Sequence, residues 1–350
     1  MSTREQRQEH VSAGAGLVAD VAAESRGELG SYEETRARGY WEQVWRRLRR
    51  DRVAIVSGIF IVLLVLAAFA GAPIAAALLG HGPNELIRGG TDPTTFVPVG
   101  PFSHVTTSPG HKTLLLLGAS DSLGRDELLR LLYGARVSLE VAILSTVLGV
   151  TAGVALGIVA GYYGGLIDMI VSRLTDIVMA FPLLLFAIAL ASTVGDRLNS
   201  VTFGGLFAPG VITLVIVIGA FSWFYPARII RAQVLSLREK EFIDAARMFG
   251  AGDLRLMRSH ILPHLVAPII VYSTLIVAAN VLFEAGLSYL GLGLPLPNAS
   301  WGNLLSSATN FYLAQPWLIL WPGLAILITT LAFNLLGDGL RDAFDPRAST

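Results

Sequence analysis

The feature that most limits what this chain can fold into is the run from Val53 to Leu79, about 27 residues without a charge. A hydrocarbon core takes roughly 20 helical residues to cross, and an open chain there must satisfy its own backbone groups, which a helix does. The run predicts a membrane-spanning helix. Further runs follow at Val137–Tyr162, Leu166–Thr193, Pro209–Ile230, Leu265–Leu287 and Trp317–Gly337. Each is long enough to cross, and most carry glycine or other small residues that let helices approach closely. Composition agrees: 53% of the 350 residues are hydrophobic and 15% are charged, with a mean hydropathy of +0.61, where a soluble domain is about a quarter charged. The expected fold is an all-α integral membrane protein with six transmembrane helices.

Charge sets the expected orientation. The stretch WRRLRRDR, Trp45 to Arg52, places five arginines against the first run, and basic residues beside a span stay in the cytoplasm. Trp41 and Trp45 suit the interface. The run is too long for a signal-peptide core of about 7–15 residues and follows a long polar segment, so it is expected to be retained. Six crossings return the C-terminus to the cytoplasm. They also place Ala227–His264 there, with Arg228, Arg231, Arg238, Lys240, Arg247, Arg255 and Arg258, whereas Ser288–Pro316 has no lysine or arginine. The chain then divides into a disordered cytoplasmic tail (1–39), an interfacial segment with the first span (40–80), an extracytoplasmic loop or cap rich in proline (81–136), a transmembrane core (137–340) containing a cytoplasmic segment (238–263), and a cytoplasmic C-terminal tail (341–350).

Several chemistries are not supported by these residues. Net charge is zero, which gives no pull toward nucleic acid. With no cysteine there is neither a disulfide framework nor a thiolate site. No G-x-x-x-x-G-K-[ST] loop is present to cradle ATP phosphates, and no H-E-x-x-H or G-x-S-x-G constellation to support hydrolysis. The chain is therefore read as no enzyme, with no cofactor of its own. His260 and His264 stand one helical turn apart but have no third ligand nearby in sequence, so no metal site is expected.

The segment EFIDAARMFGAGDLRLMRSHILPHL, Glu241 to Leu265, is organised although it lies between spans. Phe242, Ala245, Ala246 and Phe249 recur at helical spacing, and Gly250 supplies a helix stop. Asp253 is read as the N-cap of a second helix carrying Leu254, Met257 and Ile261 on one face, and Pro263 marks where the next span begins. Two short helices are expected to meet at a glycine elbow. The small-residue face Ala245, Ala246 and Gly250, flanked by charge, would let another protein's backbone come close. That is the expectation of a docking knuckle.

The spacing Asp244-Ala245-Ala246, then Gly250, then Leu262-Pro263 resembles the cytoplasmic coupling motif of ABC importer permeases. Asp244 stands where Glu is usual and His260 where Ile is usual. The wider resemblance is to the C-type permeases of dipeptide and oligopeptide importers (DppC/OppC-like). It is carried by LGRDELLRLLYGARVSL (Leu123–Leu139), AGYYGGLID (Ala160–Asp168), EAGLSYLGLGLPLP (Glu284–Pro297) and NLLGDGLRDAFDPR (Asn334–Arg347). This implies a type I importer (MetI-like) permease fold with a cytoplasmic coupling helix, in the cell membrane of a prokaryote. The ATPase-coupling residues implied are Glu241, Asp244, Ala245, Ala246, Arg247, Gly250, Leu262 and Pro263. The partners implied are a homologous B-type permease subunit forming a heterodimer, two ATPase subunits that bind ATP and Mg, and an extracytoplasmic solute-binding protein. The cargo implied is a peptide or a related small solute. A secondary transporter of small solutes is the alternative, although the spans show no clear half-to-half repeat. Glu284, Asp168, Arg173 and Asp176 are costly within spans, and each is either a pathway or gate residue or an interhelical hydrogen-bonding partner.

Overall fold

A computed structural model describes residues 39–108 and 111–345. The tail expected before Gly39 and the last five residues lie outside the described residues. The helices are α1 (Tyr40–Arg50), α2 (Arg52–Leu79), α3 (Glu127–Tyr163), α4 (Gly165–Ala180), α5 (Leu183–Leu198), α6 (Val211–Ser222), α7 (Phe224–Leu237), α8 (Glu241–Met248), α9 (Asp253–Tyr289), α10 (Trp301–Ala308) and α11 (Trp317–Phe344). Strands β1 (Ser103–Ser108) and β2 (His111–Leu115) form an antiparallel hairpin between α2 and α3, with Val105 opposite Thr113. The expected cap thus contains a small sheet over Ile87, Val105, Leu115 and Ala119. Its far edge comes early, because α3 begins at Glu127, before the apolar run does.

Among the described residues, α2, α3, the α6–α7 pair, α9 and α11 are each long and apolar enough to cross a membrane. The third expected span differs. Instead of one helix over Leu166–Thr193, α4 and α5 meet at an angle of 92°. Pro182 has no amide to continue the ladder, and its ring drives the preceding residue out of the helical region. Phe181 accordingly sits extended, at φ −86° and ψ 143°.

Prolines shape the other passages more gently. The π-turn Ala67–Gly71 in α2 ends two residues before Pro73, and the π-turn Leu256–Ile261 in α9 ends two residues before Pro263. In both places the turn ahead of the proline widens, absorbing the missing donor without breaking the helix. At Pro226 the outcome is intermediate: the helix is interrupted at Trp223, between α6 and α7.

Close packing of α3 on α6 and α7 rests on glycine. Gly149, Gly153, Gly157 and Gly161 fall every four residues along one side of α3. A Cβ on Gly157 would lie 2.7 Å from the Ala227 carbonyl, and one on Gly161 would lie 2.7 Å from the Val234 Cβ. This is the small-residue contact by which membrane helices gain dispersion energy where no water is displaced.

Around the start of α3 the charged side chains are buried. His81 Nε2 lies 3.0 Å from the Asp126 carboxylate, whose other oxygen caps the Leu129 amide at 3.1 Å. Arg125 Nε donates to Asp121 at 2.7 Å, and Arg130 donates to Asn84 and to the Pro297 carbonyl at 3.1 and 3.2 Å. Asp121, Arg125, Asp126 and Arg130 are all less than a tenth exposed. The ends of α2 and α3 and the loop at Pro297 are joined through this cluster.

Candidate functional site

The segment singled out in sequence forms a knuckle between α7 and α9. Helix α8 ends at Met248, Gly250 turns the chain at φ +82°, and α9 begins at Asp253. No side chain but glycine takes that conformation without strain. Two details differ from the sequence reading. Asp253 is the first helical residue and Gly252 holds the cap position. The second helix is also not separate from the span, because α9 continues from Asp253 through Pro263 to Tyr289.

The inward face of the knuckle is set by Ile243, which is fully buried against Ile158, Tyr162, Val234, Leu256, Ile261 and Leu265. Leu256 and Ile261 are five residues apart, the repeat of the π-turn, and Leu265 follows four later. That widening turns Leu254, expected on the packed face, outward to 74% exposure. Ala246 packs toward the cluster rather than away from it. Ala245 is half-buried, and Glu241, Asp244, Arg247 and Gly250 are exposed. Leu262 is half-buried and Pro263 exposed, on the α9 side of the turn. The outward surface is thus not chiefly small residues but Met248 at 83% and Phe249 at 92% exposure, beside Leu254. Phe249 was expected on a helical face with Phe242, but it falls at the C-cap, past the end of α8.

Polar contacts fasten the knuckle. The Tyr162 hydroxyl, at the end of α3, donates to the Asp253 carboxylate at 2.7 Å. Arg238 donates to the Gly161 carbonyl at 3.1 Å. Arg247 lies 3.6 Å from Asp244, and the neighbouring Tyr162 hydroxyl raises its guanidinium above the ordinary value. His264 accepts the stacked ring of Phe242 at 5.0 Å and turns its Nδ1 to the His260 carbonyl at 2.7 Å.

The other singled-out residues do not converge on one place. Glu284 is fully buried, and its carboxylate accepts from Ser138 of α3 at 2.8 Å and from Ser288 at 2.6 Å. Asp168 of α4 is held by a two-pronged Arg231 of α7, whose Nη2 is 2.6 Å away. Asp176 meets Arg228 at 2.6 Å. Arg173 is exposed, with no ion-pair partner among the described residues. Beside these pairs a cavity of about 800 Å³ opens between α6, α7, α9 and α11, with Phe221, Ser222, Arg228, Tyr272, Asn280 and Arg341 in its wall. Asn280 fixes that wall by donating to Ser145 and Thr146 at 3.1 and 2.9 Å and accepting from Ser222 at 3.1 Å. Sequence reading did not single out Asn280 or its hydroxyl partners. Their only local signal was a polar side chain inside an apolar run.

Comparison with known proteins decides the family. Residues 153–350 match the profile described as binding-protein-dependent transport system inner membrane component. The chain belongs to that family. Residues 39–88 of this permease also match the N-terminal TM domain of oligopeptide transport permease C. It is 37% identical over 314 residues to the oligopeptide transport system permease protein OppC of Escherichia coli strain K12, covering 90% of this chain and 93% of that one. It is 35% identical over 308 residues to the dipeptide transport system permease protein DppC of Alkalihalophilus pseudofirmus, covering 88% and 90%. To the glutathione transport system permease protein GsiD of Pectobacterium atrosepticum it is 36% identical over 307 residues, covering 88% and 91%. A permease of this family is a multi-pass membrane component of an ABC importer and not an enzyme.

Proposed function

We propose that the chain forms half of the translocation pore of an importer for peptides or a related small solute, with a homologous B-type permease as the other half. Two ATPase subunits bind ATP and Mg, and a binding protein delivers the solute from outside. Both termini and the knuckle face the cytoplasm, as the arginines of 227–264 and their absence from 288–316 support. The observation that carries this reading is the knuckle itself. Met248, Phe249 and Leu254 stand open on a turn anchored from beneath by buried Ile243, an apolar surface that a partner would cover. Glu241, Asp244, Ala245, Ala246, Arg247, Gly250, Leu262 and Pro263 form or frame that surface. The Asp168–Arg231 and Asp176–Arg228 pairs hold α4 on α7 and serve as gate contacts, with Arg173 on the exposed side of α4. Glu284 acts as an interhelical clasp.

ATP-driven closure of the ATPase pair would then move the knuckle as a rigid body and switch the pore between two states. The test is Gly250→Glu. A glutamate at φ +82° strains the elbow by about 1–2 kcal/mol and places a charge beside the apolar tip. Insertion should be normal, while ATPase co-purification and uptake of a labelled tripeptide fall about tenfold or more. Normal association and uptake would remove the knuckle from the ATPase contact.

A further inference from the structure

We infer that the Tyr162–Asp253 hydrogen bond is a coupling pin: it makes α3 move with the knuckle and α9, so that ATPase motion reaches two spans instead of one. This rests on the docking reading above and adds a residue to it. Tyr162 is placed for the task by its two ends. Its ring is buried in the cluster of Ile158, Val234, Ile243 and Leu265, while its hydroxyl reaches out of that cluster to Asp253 at 2.7 Å. Asp253 is the first residue of α9, directly after the Gly250–Gly252 turn. Arg247 of α8 also reaches the Tyr162 hydroxyl, so the phenol gathers both arms of the knuckle at one point of α3. A phenol donating to a carboxylate is charge-assisted and short, and its direction fixes geometry in a way that apolar contact does not. The apolar contacts at the knuckle base hold the helices together but let them slide. The pin opposes sliding.

Tyr162 is a positioning residue on this account, and Tyr162→Phe isolates it, because the ring stays in the cluster and only the oxygen is lost. In proteoliposomes of the complete transporter with its binding protein, Tyr162→Phe should hydrolyse ATP and retain its ATPase subunits. Uptake of a labelled tripeptide per ATP should fall roughly tenfold, the scale of one charge-assisted hydrogen bond. Asp253→Ala should do the same, Asp253→Asn should keep most of the ratio, and the Tyr162→Phe, Asp253→Ala double variant should be no worse than either single. The chain has no cysteine, so spin labels at Leu156→Cys on α3 and Ser259→Cys on α9 report the coupling directly. The parent should show one distance in ADP and in trapped ATP states, and Tyr162→Phe should add a second, longer distance only with ATP. Parent-like uptake per ATP in Tyr162→Phe, or a parent distance that already changes with nucleotide, overturns the inference. Retention of ATPase subunits by Gly250→Glu would instead overturn the docking reading, so the two failures are distinct.

Discussion

The knuckle and the charged cluster at the start of α3 solve opposite problems. At the cluster, Asp121, Arg125, Asp126 and Arg130 are buried and bound to one another or to backbone. At the knuckle, the charges are exposed and the largest apolar side chains, Met248 and Phe249, have nothing over them. At the first end these four side chains find partners within the chain, although among the described residues the Glu127 Oε1 and the Arg130 Nε are buried without one. On the docking proposed above, the second is completed by a partner. Charge count does not separate a structural end from a contact end here. What separates them is whether charged side chains are buried and large apolar ones left outside.

Substitutions can break or sharpen this contrast. The largest effect is expected at Arg130, whose removal takes the donor from the Asn84 oxygen and one of two donors, the other being Arg125, from the Pro297 carbonyl. Arg130→Ala should cost about 1.5–3 kcal/mol, the scale of a buried hydrogen bond made by a charged group. Thermal unfolding in detergent checks it, and an unchanged midpoint would mean that these contacts do not hold this end. A smaller effect of another kind is expected for Met248→Ser with Phe249→Ser. Stability should hold, because both side chains are more than four-fifths exposed, while ATPase association weakens about tenfold. Loss of stability instead would show that the pair is covered by the chain itself.

The smallest effect concerns Asp92, in the loop before the hairpin. Its carboxylate accepts from the Thr94 hydroxyl at 2.6 Å and the Thr94 and Thr95 amides at 2.8 and 2.9 Å, which holds its pKa well below the ordinary carboxylate value. A depressed carboxylate pKa stabilises the fold above the unfolded value of 3.8, and the stabilisation fades as pH falls through the folded one. Exchange at the Thr94 and Thr95 amides, corrected for intrinsic rate, should therefore be the same at pH 8 and pH 5. Loosening at pH 5 would contradict the contact.

The spans were legible because hydropathy depends on composition alone. The bend at Pro182 was not, since Leu166–Thr193 is as apolar bent as straight, and a proline within a span can be absorbed, as at Pro263, or break it. The knuckle was legible as a place but not as a surface. Helical spacing assigned Phe249 to the face of Phe242, yet α8 stops one residue short. It also put Leu254 with Met257 and Ile261, and the π-turn rotated that face to Leu256, Ile261 and Leu265. One extra residue in a turn is invisible to a 3.6-residue template. Glu284 posed a choice that spacing could not make, because Ser138 is far away in the chain and only the fold sets it at 2.8 Å.

The unbroken run of α9 from the knuckle into the membrane has a mechanical consequence. Its 37 residues make a rod about 55 Å long. Because the widened turn before Pro263 keeps the rod whole, a tilt of about 10° applied at the Asp253 end would sweep the Tyr289 end through roughly 10 Å. Had Pro263 broken the helix as Pro182 breaks the passage before it, the same push would be lost at the joint. The knuckle is thus the short handle of a lever whose long arm carries Asn280 and Glu284.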